Sequence, residues 1–244
     1  DTWTQIATPS QIGTSTIEVK DVKIASIAAD GVYPKTIYVV TNSNAYKLRK
    51  VIDNGTTTTI TTIGAGLPSY PGAIAIAPGA PSVFYATART SGVYKSTDSG
   101  ANFSAINSGA ISAALASGRL AEYIDVSRVD SNYVSVGFTN KSLCYSLNAG
   151  STWNAPTSWD ERNGDGWISG SVSGIDISSA TGSLGDYFQL PLALHPTNKN
   201  ILLTHGEVDI VKKSTDAGAN FRYSNTGYTG AREVVSGSKR QQPR

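Results

Sequence analysis

An all-β fold built from repeated four-stranded antiparallel units is predicted by three observations on the sequence. The phrase KSTDSGANF at residues 95–103 returns almost unchanged as KSTDAGANF at 213–221, with a looser copy, YSLNAGSTW, at 145–153. Between the copies lie short runs rich in β-branched and aromatic residues, parted by turns holding Pro, Asp, Asn or Gly. No stretch sustains a helical period except residues 109–123, whose alanines and leucines suit one or two turns inside a loop.

Taken in order, the first unit supplies the strand-like runs IASIAAD, KTIYVVTN and AYKLRKV, and the second AIAIAPGAPSVFYATA and GVYKS. The third gives YIDVSRVDSNYVSVGFT and SLCYS, the fourth LALHPTNKNILLTHG and VDIVKKS. A further run after each copy of the motif provides a fourth strand. A degenerate copy is expected upstream, in VIDNGTTTT, where Asp53, Gly55 and Thr57 stand in register while Val51 replaces Ser and Thr58 the aromatic. Trp3, in DTW, reads as the tail of another. Copies therefore fall near 53–58, 96–103, 146–153 and 214–221, at intervals of roughly 45 to 70 residues, which is the spacing of a copied supersecondary unit. The units occupy residues 1–230; a long Gly/Ser-rich insertion fills 156–186, and 231–244 either begins another unit or forms a basic tail.

The motif has a physical use. In a tight turn an Asp or Asn side chain accepts hydrogen bonds from backbone amides a few residues on, Ser does the same, and Gly takes a left-handed conformation. Ser96, Ser146 and Ser214, then Asp98, Asn148 and Asp216, then Gly100, Gly150 and Gly218 fill these slots, with Asp53 in the degenerate copy. The aromatics that follow, Phe103, Trp153 and Phe221, are placed to wedge between neighbouring units. Asn148 keeps the turn-capping oxygen and would be a poor substitute for a catalytic acid, so the motif reads as a staple of the fold.

The pattern S-x-D-x-G-x-[TN]-[WF] resembles the Asp box, or BNR repeat, of sialidases, xyloglucanase-type glycoside hydrolases and sortilin-type receptors. LALHPTNKNILLTHG followed by VKKSTDAGANF is similar in particular to the xyloglucanase and sortilin-like groups. That resemblance implies a β-propeller of four-stranded blades, with the boxes on the rim opposite the active face. Propellers close rings of four to eight blades. About four complete blades are legible, with partial ones at the ends. The chain is therefore expected to be a segment of a larger propeller, completed by further blades of its precursor, by a partner chain or by self-association.

A net charge of +2 with 16% charged residues lacks the basic field of a nucleic-acid binder. The Ser-, Thr-, Gly- and Asn-rich composition points to an extracellular, cell-surface or virion setting. Cys144 is the single cysteine, which excludes an internal disulfide and a thiolate zinc cluster. No apolar run approaches the ~20 residues of a transmembrane helix, and nothing calls for a cofactor.

Under the propeller reading, function belongs to the face that gathers residues 41–45, 87–92, 139–142 and 204–208, with 64–72, 107–121 and 156–186. The long insertion holds Trp159 and Trp167, whose indoles suit stacking on sugar rings, and Arg162, which suits hydroxyls or a carboxylate. Arg89, in ARTSGVY, either grips a ligand carboxylate or pairs with a nearby acid. Glu161, Asn163 and Asp165 imitate the start of a calcium loop, but Val172 stands where its bidentate Glu is needed; an Asn-Gly-Asp-Gly turn is the plain alternative.

Glycoside hydrolysis needs two carboxylates flanking the scissile bond. The candidates are Asp160, Glu161, Asp165 and Glu207, with His205 beside Glu207 as an acid–base partner, and none has an assigned mate. Ser91 stands where a xyloglucanase-like phrase carries Asp, and the Arg-Ile-Pro and Tyr-Glu signatures of sialidases are missing. The expectation is a non-catalytic module that binds a polysaccharide or a protein. A glycoside-hydrolase fragment and a structural part of a surface or phage-fibre assembly are the rivals.

Overall fold

The computed structural model describes residues 5, 7–8, 11, 19–24, 33–41, 48–139, 143–159, 161–163, 166–168, 192–205 and 211–223. The first sheet runs in sequence order through β1 (Val19–Ile24), β2 (Lys35–Thr41), β3 (Leu48–Asp53) and β4 (Thr58–Ile63). The second repeats the order with β5 (Pro71–Ile76), β6 (Phe84–Ala88), β7 (Gly92–Ser96) and β8 (Ser104–Ala105). A two-turn helix, α1 (Ala110–Ala116), leads to the third sheet of β9 (Ala121–Val126), β10 (Val134–Phe138) and β11 (Leu143–Ser146).

The third sheet departs from expectation, because its fourth position is a single bridge between Tyr145 and Asn154. Both backbone groups of Asn154 bond to Tyr145, at 2.8 and 2.9 Å. The next ladder position outward falls on Pro156, which has no N–H to donate.

The expected irregular stretch 156–186 is also partly ordered into strands. β12 (Ser158–Trp159) leaves the third sheet, and β13 (Glu161–Asn163) and β14 (Gly166–Ile168) form a hairpin. The fourth sheet contains β15 (Leu192–Leu194), β16 (Leu202–His205), β17 (Val211–Ser214) and β18 (Asn220–Tyr223), and β12 joins its outer edge parallel to β18.

The sheets stack face to face, and an apolar cluster fills each wedge. Tyr38, Val40 and Leu48 of the first sheet meet Ile74, Phe84 and Ala86 of the second, with Tyr38 edge-on to Phe84 at 4.7 Å between ring centroids. Tyr85 and Val93 meet Ile124, Val134, Val136 and Cys144 across the second wedge, into which α1 sends Ile111 and Ala114. Tyr133, Leu143 and Tyr145 meet Leu202 and Phe221 across the third. β6 thus points Phe84 and Ala86 one way and Tyr85 the other. This is why all five of its residues are buried, with Thr87 the one polar side chain among them. Burying a side chain such as Phe84 contributes roughly 1.5–3 kcal/mol.

Candidate functional site

The repeated nine residues form the turn between the third and fourth strands, and their polar groups bond to one another. Ser96 Oγ donates to Asp98 Oδ1 at 2.7 Å and accepts from the Gly100 N–H at 3.0 Å. Asp98 then accepts from the Asn102 backbone at 2.9 Å and from Asn102 Nδ2 at 2.7 Å. The fourth unit repeats this with Ser214, Asp216, Gly218 and Asn220, at 2.8, 2.8, 2.9 and 2.6 Å. The third unit puts Asn148 in the acid's place, accepting from Ser146 at 2.9 Å and from the Thr152 backbone at 2.8 Å, while its Nδ2 donates to Thr152 Oγ1 at 2.9 Å. Gly150 donates to Ser146 Oγ at 2.9 Å.

Hydrogen bonds from the Asn102 backbone and side chain, then from Ser96, hold the Asp98 carboxyl at about 2. Partial burial works against Asp216, but bonds from Asn220 and Ser214 still keep it below the usual carboxylate range. Such a group is a permanent acceptor and cannot act as a general acid.

One feature of the turn is not legible in its glycine. The preceding residue is left-handed too: Ser99, Ala149 and Ala217 have φ of 60°, 55° and 57°. Each donates its N–H to the turn between the first two strands of its own sheet, at Ser82, Asn132 and Asn200. That bond offsets part of the strain of a left-handed non-glycine residue.

The upstream copy is different. Asp53 pairs with Thr58, and inside that pair the Asn54 N–H bonds to the Thr57 carbonyl at 2.9 Å around a two-residue turn, while the Asp53 carboxylate accepts from the Gly55 N–H at 2.8 Å. Gly55 has φ of 84°, which the first corner of this type of hairpin requires, and Val51 offers no hydroxyl to build the larger turn.

At the other end of the sheets, two connections meet the entry to the third blade. The Arg89 carbonyl accepts from the Ala121 N–H at 2.9 Å, and Leu120 exchanges bonds with Thr139, at 3.0 Å to its Oγ1 and 2.9 Å from its N–H. Arg89 Nε donates to Glu122 Oε1 at 2.7 Å, with side chains 47% and 12% exposed. Of the two roles open to Arg89, the structure displays pairing with a neighbouring acid. Cys144 is buried against this same wedge, and loss of solvent pushes its thiol up to about 12, with Arg119 pulling weakly the other way. A buried thiol with a raised pKa is a poor nucleophile.

Other candidates divide. Arg162 and Trp167 are cross-strand partners in the β13–β14 hairpin, whose Asn163 pairs with Gly166 across residues 164–165. Trp159 pairs with Phe221 on the outermost edge of the fourth sheet. The side chains of Trp159, Glu161, Arg162, Asn163, Trp167 and His205, and the whole of Asp160, Asp165 and Glu207, lie outside the described residues. Among the described residues, no group of three His, Cys, Asp or Glu could hold a metal, and no helix is long and apolar enough to cross a membrane.

Two inner-strand acids escaped the sequence reading. Asp21 accepts from the Ile74 N–H of the next inner strand at 3.0 Å, and Lys23 stands 3.3 Å from it. Asp125 accepts from the Val126 N–H at 2.9 Å and from Leu194 at 3.4 Å. Burial pushes Asp125 up, opposed by those two amides and by Lys23 and Arg128. With both its oxygens engaged by backbone amides, Asp125 pins the third sheet to the fourth. No motif marks either acid.

No family model matches the sequence, and no curated protein matches it significantly. Solved structures do. An ancestral GH74 enzyme matches 83% of this chain over 23% of its own length, at 17% identity and a TM-score of 0.52. The GH74 enzyme of Niastella koreensis matches 77% over 27%, at 17% identity and a TM-score of 0.52. YCF48 from Cyanidioschyzon merolae covers 91% over 58%, at 12% identity and a TM-score of 0.49. The chain thus spans about a quarter of the length of the two GH74 structures. At these identities the likeness is one of fold: the chain is a β-propeller of four-stranded antiparallel blades.

Proposed function

We propose that the chain is an extracellular or cell-surface propeller module that captures a carbohydrate polymer or a protein partner through its loop-bearing end, without catalysis. The observation behind this reading is the division of polar groups between the two ends. The repeated turns, which we read as Asp boxes, bond their serine, acid and glycine groups internally, whereas Arg89 at the other end keeps a half-exposed guanidinium beside Glu122. An arginine held in place by a carboxylate suits hydroxyl or carboxylate recognition. Trp159, Trp167 and Arg162 are the further residues we assign to binding. Blades from a longer precursor, a partner chain or a second copy would complete the ring.

A glycoside hydrolase is the second reading, favoured by the likeness to GH74 enzymes. It would draw its two carboxylates from Asp160, Glu161, Asp165 and Glu207, with His205 as acid–base partner. A structural role in a surface or fibre assembly is the third. Affinity electrophoresis against a panel of soluble polysaccharides, with reducing ends assayed in parallel, separates them. Retardation without new reducing ends supports the binding module. Released ends mean a hydrolase, and neither effect leaves a protein partner or an assembly role.

A further inference from the structure

Arg119 follows α1 and precedes the inner strand of the third blade. It is 4% exposed, and among the described residues its Nη1 has no hydrogen-bond partner. Among the described residues no carboxylate is paired with it. Its backbone is fixed on both sides: its own N–H bonds to the Ala114 carbonyl at 3.2 Å, and the next residue, Leu120, is tied to Thr139. The guanidinium interacts electrostatically with the buried Cys144, which belongs to the wedge between the second and third blades.

A desolvated cation without a counter-charge is among the most costly groups a core can hold. Burial lowers the Arg119 pKa to about 10, which still leaves it charged at neutral pH, so neutralisation does not remove the cost. The group offers only donors and has no acceptor. Cys144, with its raised thiol, adds no negative charge.

We propose that Arg119 is the binding group of an anion site between the second and third blades, taking a compact monovalent anion, either a carboxylate or a halide. Its planar fork fits a carboxylate through two parallel hydrogen bonds and a halide through one. The proposal does not rest on what the loop-bearing end binds.

The test is thermal unfolding of the full chain at fixed ionic strength, with sodium formate or sodium chloride replacing sodium gluconate, a carboxylate too bulky for a site that takes compact anions. The expected result is a saturable rise of roughly 5 to 10 °C at a hundredfold excess over the dissociation constant. Arg119→Leu should lose that rise and unfold in gluconate no earlier than the wild type. Arg119→Lys, which keeps the charge without the fork, should respond less to formate than to chloride if the site is built for carboxylates, and to both alike if it is built for halides. Equal anion responses in wild type and Arg119→Leu would overturn the proposal. So would earlier unfolding of Arg119→Leu in gluconate, since the counter-charge would then come from the chain. If Arg119→Leu does not fold, calorimetric titration of formate and chloride into the wild type and Arg119→Lys decides: heat of binding with neither anion overturns the site.

Discussion

The Trp153 indole donates its N–H to the Ile106 carbonyl at 2.9 Å, so the aromatic of the third blade's turn is bonded to the chain as it leaves the second. The ring is 5% exposed and belongs to the wedge between those blades. Similar seams recur. Phe103 and Ala65 bond at 2.7 Å, and Thr157 donates to Ala219 at 2.7 Å, each joining the chain leaving one blade to the fourth-strand start of the next. Trp153→Phe should keep the wedge but leave the Ile106 carbonyl without its donor, costing about 1–2 kcal/mol. Trp153→Ala should cost about 3–5 kcal/mol through the cavity as well. Urea unfolding measures both; a Trp153→Phe chain as stable as the wild type would mean the hydrogen bond contributes nothing.

Ser214 is fully buried, and its hydroxyl joins Asp216 to the Gly218 N–H. Ser214→Ala leaves that amide without an acceptor and should destabilise the chain by about 1–3 kcal/mol. Ser96→Ala should behave alike, because the geometry repeats within about 0.2 Å. Denaturant midpoints at constant slope are the measurement.

The three turns should differ in their response to acid. Asp98 is held at about 2 and Asp216 is lowered, both below the ordinary carboxylate value near 3.9. A depressed folded-state pKa contributes stability that is complete above the unfolded value and is lost as pH falls towards the folded one. Asn148 titrates nowhere. Asn148→Asp should therefore change stability little at pH 7 and lower it relative to the wild type between about pH 4 and 2. Unfolding midpoints of both proteins across that range decide the matter, and parallel curves would refute it.

Much of this fold was legible because it is written in strict positions. The Ser, acid and Gly slots of the motif forced a turn, and runs such as FYATA forced strands covered on both faces. The missing outer strand of the third blade was legible in principle at Pro156, but its effect depends on which ladder position the proline meets, and this is set by Tyr145 in another strand. Asp21 and Asp125 were invisible for a related reason: each accepts from an amide distant in sequence, Ile74 or Leu194, so no local spacing encodes the contact. Arg89 was found from its loop, and Glu122 was not, because the pair joins two blades. Val51 shows the converse, a register match without the hydroxyl that builds the turn.

Recognition at the loop-bearing end, with the repeated turns serving only the fold, is tested most directly by calorimetric titration of the best polysaccharide from the panel into two variants. Arg89→Gln combined with Glu122→Gln replaces the ion pair by two neutral amides, so that neither charge is left without its partner. That variant should bind at least tenfold more weakly with an unfolding midpoint close to the wild type, while Ser214→Ala unfolds earlier and binds normally when folded. Undiminished binding by the double variant, together with loss of binding in folded Ser214→Ala, would contradict the assignment of both ends.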